Sequence, residues 1–370
     1  MKIMTVIGAR PQFVKHAAFE LYLKKNQPKT KHIVVHTGQH YDAIMTADIC
    51  SNFGISSPQI NLNCASGDAI TDLGQMIGAI ANVIEAEKPT FILIYGDTNS
   101  TLAAAIAASH TGVPIIHVEA GLRSNDLTMP EERNRILTDR LSSFLITPSK
   151  AAQANLAKEG YPFFTRFRNE SRQQEIVNFG DIMYDAFKHI EQKGFTKPDE
   201  TGEFALMTLH RDRLFTDNVY FQNIIGFLEV LRKQIDVIFF AHPRILKTPN
   251  FQESFEKIGL LARPSCDYLV MQNYLAACKF VVTDSGGLQK EAYFHQKYCL
   301  TLRENTEWIE TLINGCNRLV GSTQISMVNA LEEINAKLSL GSSSTDFSNI
   351  YGDGTCSDQI YKLMAEIEGL

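Results

Sequence analysis

Cysteine is sparse in this 370-residue chain, and its spacing excludes two kinds of site. The seven cysteines are odd in number and widely separated, and no two of them form a CxxC pair. A disulfide scaffold or a structural zinc site is therefore not expected, and a reducing compartment fits this pattern best.

Long apolar runs are also missing from the sequence. The richest runs, FILIY at 91–95 and VIFFA at 237–241, have the length of strands and are too short to span a bilayer. The apolar run at the N-terminus stops at Gly8, before it reaches the length of a signal-peptide core. We therefore expect a cytoplasmic protein without membrane contacts.

The charge pattern lacks a basic stripe, and the net charge is −6, which argues against a general nucleic-acid binder. A hydrophobic content of 44% and a charged content of 21% are typical of a soluble globular protein. A chain of 370 residues exceeds one ordinary core, so two domains are expected. Local Lys and Arg clusters can still hold a phosphate, so a nucleotide site remains open.

Several catalytic fingerprints are absent. No GxGxxG follows a predicted strand, so neither a bound dinucleotide nor any other cofactor is expected. The lack of HExxH spacing argues against a catalytic metal, and the lack of GxSxG or a Cys/His arrangement argues against a nucleophilic hydrolase. Tyr293 and Lys297 have the YxxxK spacing of short-chain dehydrogenases, which we interpret as coincidence without the glycine fingerprint.

What is present is an alternation of short β-branched and aromatic runs with segments of helical period, which predicts doubly wound α/β sheets with parallel strands. The first half predicts strands at 2–7, 32–37, 91–95, 115–118 and 143–147. The alternation breaks at 161–180, which we interpret as an interdomain connection with an inserted loop. It then restarts, with strands expected at 204–209, 236–241, 268–271, 279–283 and 298–301.

Three carboxylates follow predicted strands or precede a predicted helix. Asp97 and Glu119 each come directly after a strand, and Glu131 stands before a helix. Each alone is explained as well by a structural role, as a cap, an ion-pair partner of Arg123 or a first-turn carboxylate. Together they favour acid/base chemistry, because ligands of α/β sheets bind outside the carboxyl ends of the strands. His117 lies on the strand before Glu119 and is expected to pack in the core.

Two basic segments are candidates for binding an anion. Arg10 and Lys15 flank a helix N-terminus after the first strand, a combination that attracts phosphate. Taken alone, this turn is explained better by ordinary strand–helix geometry with a solvated arginine. The HRDR segment at 210–213 follows a later strand, where a His–Arg pair can bind a diphosphate, and ordinary loop polarity is the alternative.

The segment TDSGGLQKE at 283–291 is a more specific nucleotide signal. Ser285, Gly286 and Gly287 stand where a strand turns into a helix, so that their N–H groups and a hydroxyl can converge on a phosphate. Glu291 follows one turn later, where it can accept from ribose hydroxyls. A tight turn with a capped helix accounts for the glycines but not for the whole segment.

Assembled in order, these segments resemble the non-hydrolysing UDP-N-acetylglucosamine 2-epimerases. The resemblance runs nearly end to end and is carried by GARPQFVK, HTGQHYD, GDTNSTLA, HVEAGLRS, MPEERNRILTD, GDIMYDA, TLHR, HPR, TDSGGLQKEA, LRENTEWIE, NGCNRLVG and YGDG. So many motifs in one order make the match specific.

The resemblance implies an α/β fold with two Rossmann-like, doubly wound domains facing a cleft, as in the GT-B glycosyltransferases. The first domain is expected at 1–175, joined by a C-terminal helix at 357–370 that crosses back to it, and the second, UDP-binding domain at 176–356. It also implies a homodimer, no NAD, and a role in making precursors of bacterial surface polysaccharides.

The resemblance further implies roles for single residues. The catalytic residues are expected to be Asp97, Glu119, Glu131 and His210. The substrate-binding residues are expected to be Arg10, Lys15, Arg135, Arg213, Ser285, Gly286, Gly287 and Glu291.

The implied chemistry is elimination and re-addition of UDP. UDP leaves C1 while the C2 proton is removed, and it adds back after C2 has been reprotonated on the other face. Because C2–H becomes acidic only as positive charge builds at C1, the transition state should be oxocarbenium-like, stabilised by carboxylates around the ring and cations around UDP.

The substrate is the least defined feature. GARPQF and the Trp308 in TEWIE are closer to a branch acting on UDP-2,3-diacetamido-glucuronic acid, and Arg213 is the candidate ligand for its C6 carboxylate. The segment GQHYD lacks the basic residue usual at the family's effector site, which puts activation by substrate in doubt. A hydrolysing relative, a GT-B glycosyltransferase and an inactive sugar-nucleotide sensor are the alternatives.

Overall fold

Runs of Ile, Val, Leu and Phe form the strands of two parallel sheets, one in each of two units of the chain. The computed structural model describes residues 1–38, 49–340, 347 and 349–369. The N-terminal unit comprises residues 1–192 and 349–370, and the C-terminal unit comprises residues 193–348. Residues 39–48, which hold the QHYD part of the GQHYD motif, lie outside the described residues, as do 341–346, 348 and 370.

The N-terminal unit is a doubly wound α/β unit with a short hairpin. Its first elements in chain order are β1 (Lys2–Ile7), α1 (Arg10–Asn26), β2 (Lys31–His36), β3 (Ile60–Asn61), α2 (Ala69–Glu87), β4 (Phe91–Tyr95), α3 (Asn99–Thr111), β5 (Ile115–Val118), α4 (Pro130–Leu141) and β6 (Phe144–Thr147). They continue with α5 (Lys150–Lys158), β7 (Phe164–Phe167), β8 (Glu170–Gln173), β9 (Glu175–Asn178) and α6 (Ile182–Lys193). The described strands form a parallel sheet in the order β3-β2-β1-β4-β5-β6-β9, while β7 and β8 form an antiparallel hairpin.

The C-terminal unit repeats this architecture. Its elements are β10 (Phe204–Leu209), α7 (Arg213–Thr216), α8 (Asn218–Arg232), β11 (Asp236–Ala241), α9 (Pro243–Leu246), α10 (Pro249–Lys257), β12 (Ala262–Pro264), α11 (Tyr268–Ala277), β13 (Phe280–Thr283), α12 (Gly286–Phe294), β14 (Tyr298–Thr301), α13 (Ile309–Ile313), β15 (Asn317–Leu319) and α14 (Gln324–Leu340). The parallel strand order β12-β11-β10-β13-β14-β15 is that of a Rossmann fold, so the prediction of two such units is confirmed.

Helix α3 illustrates how the sequence builds the N-terminal core. Its five alanines are all buried, and their small side chains let the helix pack closely on the sheet. Thr98 caps its first turn by accepting from the Thr101 N–H, and Gly112 ends it in the left-handed region at φ 77°. A side chain at Gly112 would lie 2.4 Å from the Arg168 carbonyl. Both the left-handed backbone and this close contact therefore favour glycine at the position.

Two segments of the second half differ from the sequence prediction. The strand expected at 268–271 is the first turn of α11, because Asp267 caps it by accepting from the Val270 N–H at 2.9 Å. The strand lies at Ala262–Pro264 instead and pairs with β11. A short apolar run has no period of its own, so only the capping residue distinguishes helix from strand here.

The division into units also differs from the predicted boundary at 175. Strand β9 pairs with β6, and α6 follows it within the N-terminal unit, so the first unit continues to Gln192. The segment interpreted as a connection thus contains the hairpin of β7 and β8 and an edge strand.

The chain returns to the N-terminal unit at Asn349, earlier than the predicted 357. The Asp181 N–H donates to the Tyr351 carbonyl at 2.9 Å, which ties the returning segment to the loop before α6. Helix α15 (Cys356–Glu368) then lies against α1, where Tyr22 donates to Asp358 at 2.9 Å. The predicted return of the last helix to the first unit is confirmed.

Among the described residues, no helix combines the length and the apolar character needed to cross a membrane.

Candidate active site

Asp97 lies directly after β4 and is fixed from two sides. Its carboxylate forms an ion pair with Arg135 of α4, and the Asn134 side chain donates to the Asp97 carbonyl at 2.9 Å. The carboxylate remains 25% exposed, so a ligand can reach it. The turn depends on Gly96, whose φ of 65° is in the left-handed region.

Glu119 follows β5, the strand beside β4, and adopts a positive φ of 75°, which is uncommon for a residue with a side chain. Its carboxylate accepts from the Lys15 ammonium at 2.7 Å, and both side chains are largely buried. A side chain at Gly96 would lie 3.2 Å from the Lys15 nitrogen and 3.5 Å from a Glu119 carboxylate oxygen. The glycine therefore keeps the turn before Asp97 open to this ion pair.

Glu131 lies in the first turn of α4, and its surroundings differ from those of its neighbour Glu132. It is exposed, and within the described part of the chain its carboxylate has no hydrogen-bond or ion-pair partner. Glu132 is buried and accepts from the Ser124 and Asn125 N–H groups at 3.0 and 2.9 Å. The first glutamate of MPEER is thus available for chemistry, and the second holds the preceding loop.

Arg10 and Lys15 both lie in α1, which follows β1, and Lys15 reaches the carboxyl end of β5 through its ion pair with Glu119. Gln12, which the sequence analysis did not single out, accepts from the Gly8 N–H at 2.8 Å and donates to the Tyr95 carbonyl at 2.9 Å. It therefore links the loop between β1 and α1 to the end of β4. The signal was a glutamine at the third helical position, where it completes a capping box.

His117 was expected to pack in the core, and it is fully buried, but it forms a polar network there. Its Nδ1 faces an Asp139 carboxylate oxygen at 2.7 Å, and Asp139 also accepts from Arg123 at 2.7 Å. Burial alone would raise the pKa of Asp139, but the hydrogen bond and charge of His117, with those of Arg123, outweigh it and lower that pKa. Arg123 also pairs with Glu159, so the ion pair considered between Arg123 and Glu119 is not the one formed.

In the C-terminal unit, His210 follows β10 and is held by Asp284, which follows the neighbouring strand β13. The His210 Nδ1 lies 2.6 Å from an Asp284 oxygen, and the N–H groups of His210 and Arg211 donate to the same carboxylate at 2.9 Å. Burial raises the pKa of Asp284, but the His210 contacts and these backbone donors outweigh it, so the pKa is lowered. The imidazole is half exposed, so a ligand can reach it.

Asp284 is a candidate site residue that the sequence analysis missed, although it stands inside the TDSGG motif. Because residues that follow adjacent parallel strands meet at one sheet edge, the positions after β10 and β13 were bound to be neighbours. That rule would have paired His210 with Asp284.

The TDSGG turn opens α12. Ser285 caps the helix, with its hydroxyl accepting from the Leu288 N–H at 3.4 Å, and Gly287 is exposed. A side chain at Gly286 would lie 2.3 Å from a Glu307 carboxylate oxygen, so Glu307 would have to shift to accommodate it. Glu291 is buried one turn on and accepts from Gln272 at 2.7 Å, which orients its carboxylate.

Arg213 is engaged by carboxylates of its own unit. Its guanidinium donates to Glu304 at 3.0 Å and to Asp217 at 3.3 Å, and it lies over the Tyr220 ring at 4.7 Å. The hydrogen bond to Glu304 raises the pKa of Arg213 further above its ordinary value. A sugar carboxylate could bind Arg213 only by competing with these two groups.

Comparison with known proteins decides the family. The family model described as UDP-N-acetylglucosamine 2-epimerase matches residues 23–365. The chain belongs to the UDP-N-acetylglucosamine 2-epimerase family. It is 39% identical to a UDP-N-acetylglucosamine 2-epimerase homolog of Methanococcus maripaludis, over 99% of this chain and 100% of the relative. It is also 39% identical to the UDP-2,3-diacetamido-2,3-dideoxy-D-glucuronate 2-epimerase of Pseudomonas aeruginosa, with the same two coverages.

Solved structures of this epimerase family agree. The UDP-GlcNAc 2-epimerase of Methanocaldococcus jannaschii, in complex with UDP-GlcNAc and UDP, has a TM-score of 0.83 at 30% identity, over 99% of this chain and 100% of that one. The enzyme of Neisseria meningitidis bound to UDP-GlcNAc has a TM-score of 0.84 at 27% identity, with the same coverages. The predicted family and the predicted enzyme class, a carbohydrate isomerase acting on UDP-sugars, are confirmed.

Proposed function

We propose that this epimerase inverts C2 of a UDP-2-acetamido sugar by eliminating and re-adding UDP, without net hydrolysis. The observation that carries the proposal is the arrangement of Asp97 and Glu119 after adjacent strands, each with a cationic partner, and of Glu131 as an exposed carboxylate at the start of α4. One carboxylate removes the C2 proton and another returns a proton to the opposite face.

The C-terminal unit is proposed to hold UDP. The backbone N–H groups of the turn at Ser285, Gly286 and Gly287 suit a phosphate, because they open a helix whose dipole favours negative charge there. Glu291 is oriented by Gln272 and suits the ribose hydroxyls. His210, which is held by Asp284 and half exposed, is proposed to stabilise the departing diphosphate.

In the forward reaction the C1–O bond to UDP breaks as the C2–H bond breaks. The bonding electrons of C1–O leave with UDP, the C2 proton passes to a carboxylate, and a C1=C2 double bond forms. Arg10, Lys15 and Arg135 are proposed to balance the negative charges of UDP and the carboxylates. Return of a proton to the other face of C2 and re-addition of UDP at C1 complete the epimerisation.

Proton NMR in deuterated water tests this function. We expect UDP-N-acetylglucosamine, or the uronate analogue, to give the C2 epimer with deuterium at C2. Release of free sugar and UDP as the main products would favour a hydrolysing enzyme. Absence of any turnover on either substrate would favour a sensor.

The substrate is proposed to be the diacetamido-uronate. Support comes from the two relatives of equal identity, one of which is named for that substrate, and from the TEWIE segment with Trp308. The measurement is kcat/KM for both UDP-sugars. Equal or better use of UDP-N-acetylglucosamine would overturn the uronate assignment and leave the epimerase assignment standing.

A homodimer and a cytoplasmic location are proposed on the family resemblance. Sedimentation equilibrium should then give twice the 41.4 kDa mass of one chain. A monomer mass at assay concentration would contradict the dimer.

A further inference from the structure

We propose that His117 is a positioning residue for the reaction. Its buried ring holds the turn that carries Asp97 and the turn that carries Glu119 in fixed positions relative to each other. This inference rests on the proposed function, because it concerns the same carboxylates. His117 itself is fully buried and acts through the backbone.

The ring of His117 bridges two elements. Its Nε2 lies 2.8 Å from the Gly96 carbonyl, and since a carbonyl can only accept, this nitrogen donates. Its Nδ1 lies 2.7 Å from the Asp139 carboxylate on α4. The peptide unit that precedes Asp97 is thereby fixed to a helix that also carries Arg135, the ion-pair partner of Asp97.

The same carboxylate also fixes the turn that carries Glu119. Its second oxygen accepts from the Gly121 N–H at 3.2 Å and from Arg123 at 2.7 Å. His117 precedes Glu119 by two residues and Gly121 follows it by two, so Asp139 is bonded on both sides of the glutamate.

The turn requires such support because its backbone is unusual. Glu119 has a φ of 75°, in the left-handed region that a residue with a side chain adopts only when its surroundings impose it. Gly121 is also left-handed, at φ 80°, and a side chain there would lie 2.4 Å from the Ala152 carbonyl. The Asp139 network supplies buried, charge-assisted hydrogen bonds at both ends of this strained residue.

A core histidine that served packing alone would lead to a different expectation. Its loss would lower the stability of the protein and leave the rate per folded molecule unchanged. A positioning residue instead lowers kcat, because small displacements of catalytic groups cost much rate, while a ligand held elsewhere still binds.

The test compares three variants with the wild-type chain. His117→Gln retains one donor, and Asp139→Asn keeps the shape of the support while removing its charge. His32→Gln is the matched control. His32 lies on β2, where its ring is hydrogen-bonded to Thr5 of β1 at 2.9 Å, and it touches neither the turn of Asp97 nor that of Glu119. Each protein is checked for folding by circular dichroism, kcat is measured by NMR, and UDP affinity is measured by calorimetry.

We expect His117→Gln and Asp139→Asn to lower kcat roughly 10- to 100-fold with unchanged UDP affinity. The control should lose thermal stability and keep kcat. Folded His117→Gln and Asp139→Asn proteins with wild-type kcat would overturn the positioning role. Should His117→Gln not fold, Asp139→Asn decides alone. Incorporation of deuterium at C2 by the wild-type protein tests the proposed function. The ratio of variant kcat to wild-type kcat tests the positioning role of His117, so failure of one can be told from failure of the other.

Discussion

The three proposed catalytic carboxylates differ in their surroundings. Arg135 pairs with Asp97 and Lys15 pairs with Glu119, so each of these carboxylates is held in one place by a cation. Glu131 is exposed and sits in a helical first turn. Different environments suit different roles in a reaction that needs a base on one face of C2 and an acid on the other.

We expect Asp97→Asn, Glu119→Gln and Glu131→Gln each to lower kcat by about two orders of magnitude or more, the usual size of an acid/base effect. UDP affinity should change little, because UDP is proposed to bind to the C-terminal unit. Kinetics and calorimetry on the same preparations measure both quantities. Any variant that keeps near-wild-type kcat removes its residue from the catalytic set.

Removal of the UDP contacts should have the opposite signature. Glu291→Ala and Ser285→Ala should each weaken UDP binding by roughly 1–3 kcal/mol, the cost of losing a buried or charge-assisted hydrogen bond. Asp267→Ala is the matched control, since Asp267 caps the nearby helix α11 as Ser285 caps α12. It should lose about 1 kcal/mol of stability and keep UDP affinity. Unchanged affinity in both test variants would mean that the nucleotide lies elsewhere.

Substitutions of Arg213 and of Glu304 are expected to change kcat/KM for the diacetamido-uronate in opposite directions. If Arg213 binds the sugar carboxylate, Glu304 competes with the substrate for the same guanidinium. Arg213→Ala should then lower kcat/KM for the diacetamido-uronate selectively, and Glu304→Gln should raise it. UDP-N-acetylglucosamine, which has no carboxylate at C6, is the control substrate. Parallel changes for both substrates would leave Arg213 with a structural role only.

Among the elements, α15 depends on a partly buried carboxylate of α6. Asp185 accepts from the N–H groups of Cys356 and Ser357 at 3.2 and 2.7 Å, at the first turn of the last helix. Burial raises the pKa of Asp185 from 3.8 to about 6, and the hydrogen bonds from these N–H groups only partly offset it. The folded protein therefore holds this proton more tightly than the unfolded chain does.

The sign of the pH dependence follows. The contribution of Asp185 is fully present below the unfolded pKa and is lost as pH rises through the folded value of about 6. Asp185→Asn cannot titrate, so the stability of wild type relative to this variant should fall by about 2 kcal/mol between about pH 4 and about pH 7. Denaturant unfolding of both proteins across that range measures the difference. A constant difference would show that Asp185 does not titrate in the folded state.

The parts of this fold that the sequence predicted have strong local signals. Asp97 and Glu119 were found because each follows an apolar strand of β-branched residues, and parallel strands end at one sheet edge. The prediction of a strand at 268–271 was wrong because an apolar tetrapeptide fits helix and strand equally, and the N-cap at Asp267 favours the helix.

Residues that act across the fold were harder to predict. Gln12, His117 and Asp284 each bond to a segment far away in the chain, and no local pattern marks such contacts. His117 in particular stands between apolar residues on a fully buried strand, which is the pattern of a core position. Its partner Asp139 comes from a helix whose register only the folded unit defines.

At the scale of the whole molecule, each unit has its own apolar core. Buried aromatics such as Phe227, Phe239 and Phe255 lie in the C-terminal unit, while Ile92, Ile94 and the α3 alanines lie in the N-terminal one. Separate cores allow the units to unfold in separate steps, in which case one unfolding free energy does not describe the chain.

We therefore predict two calorimetric transitions, of which UDP raises mainly one. A ligand held mainly by the folded C-terminal unit stabilises chiefly that unit, by about 2.7 kcal/mol at roughly 100 times its Kd. Ile94→Val removes one methyl group from the N-terminal core and should lower only the other transition, since such a change costs about 0.5–1.5 kcal/mol. Glu291→Ala should reduce the UDP-dependent rise without moving the Ile94 transition. If UDP instead raised the temperature of the transition that Ile94→Val lowers, UDP would bind to the N-terminal unit, and the proposed nucleotide site would be wrong.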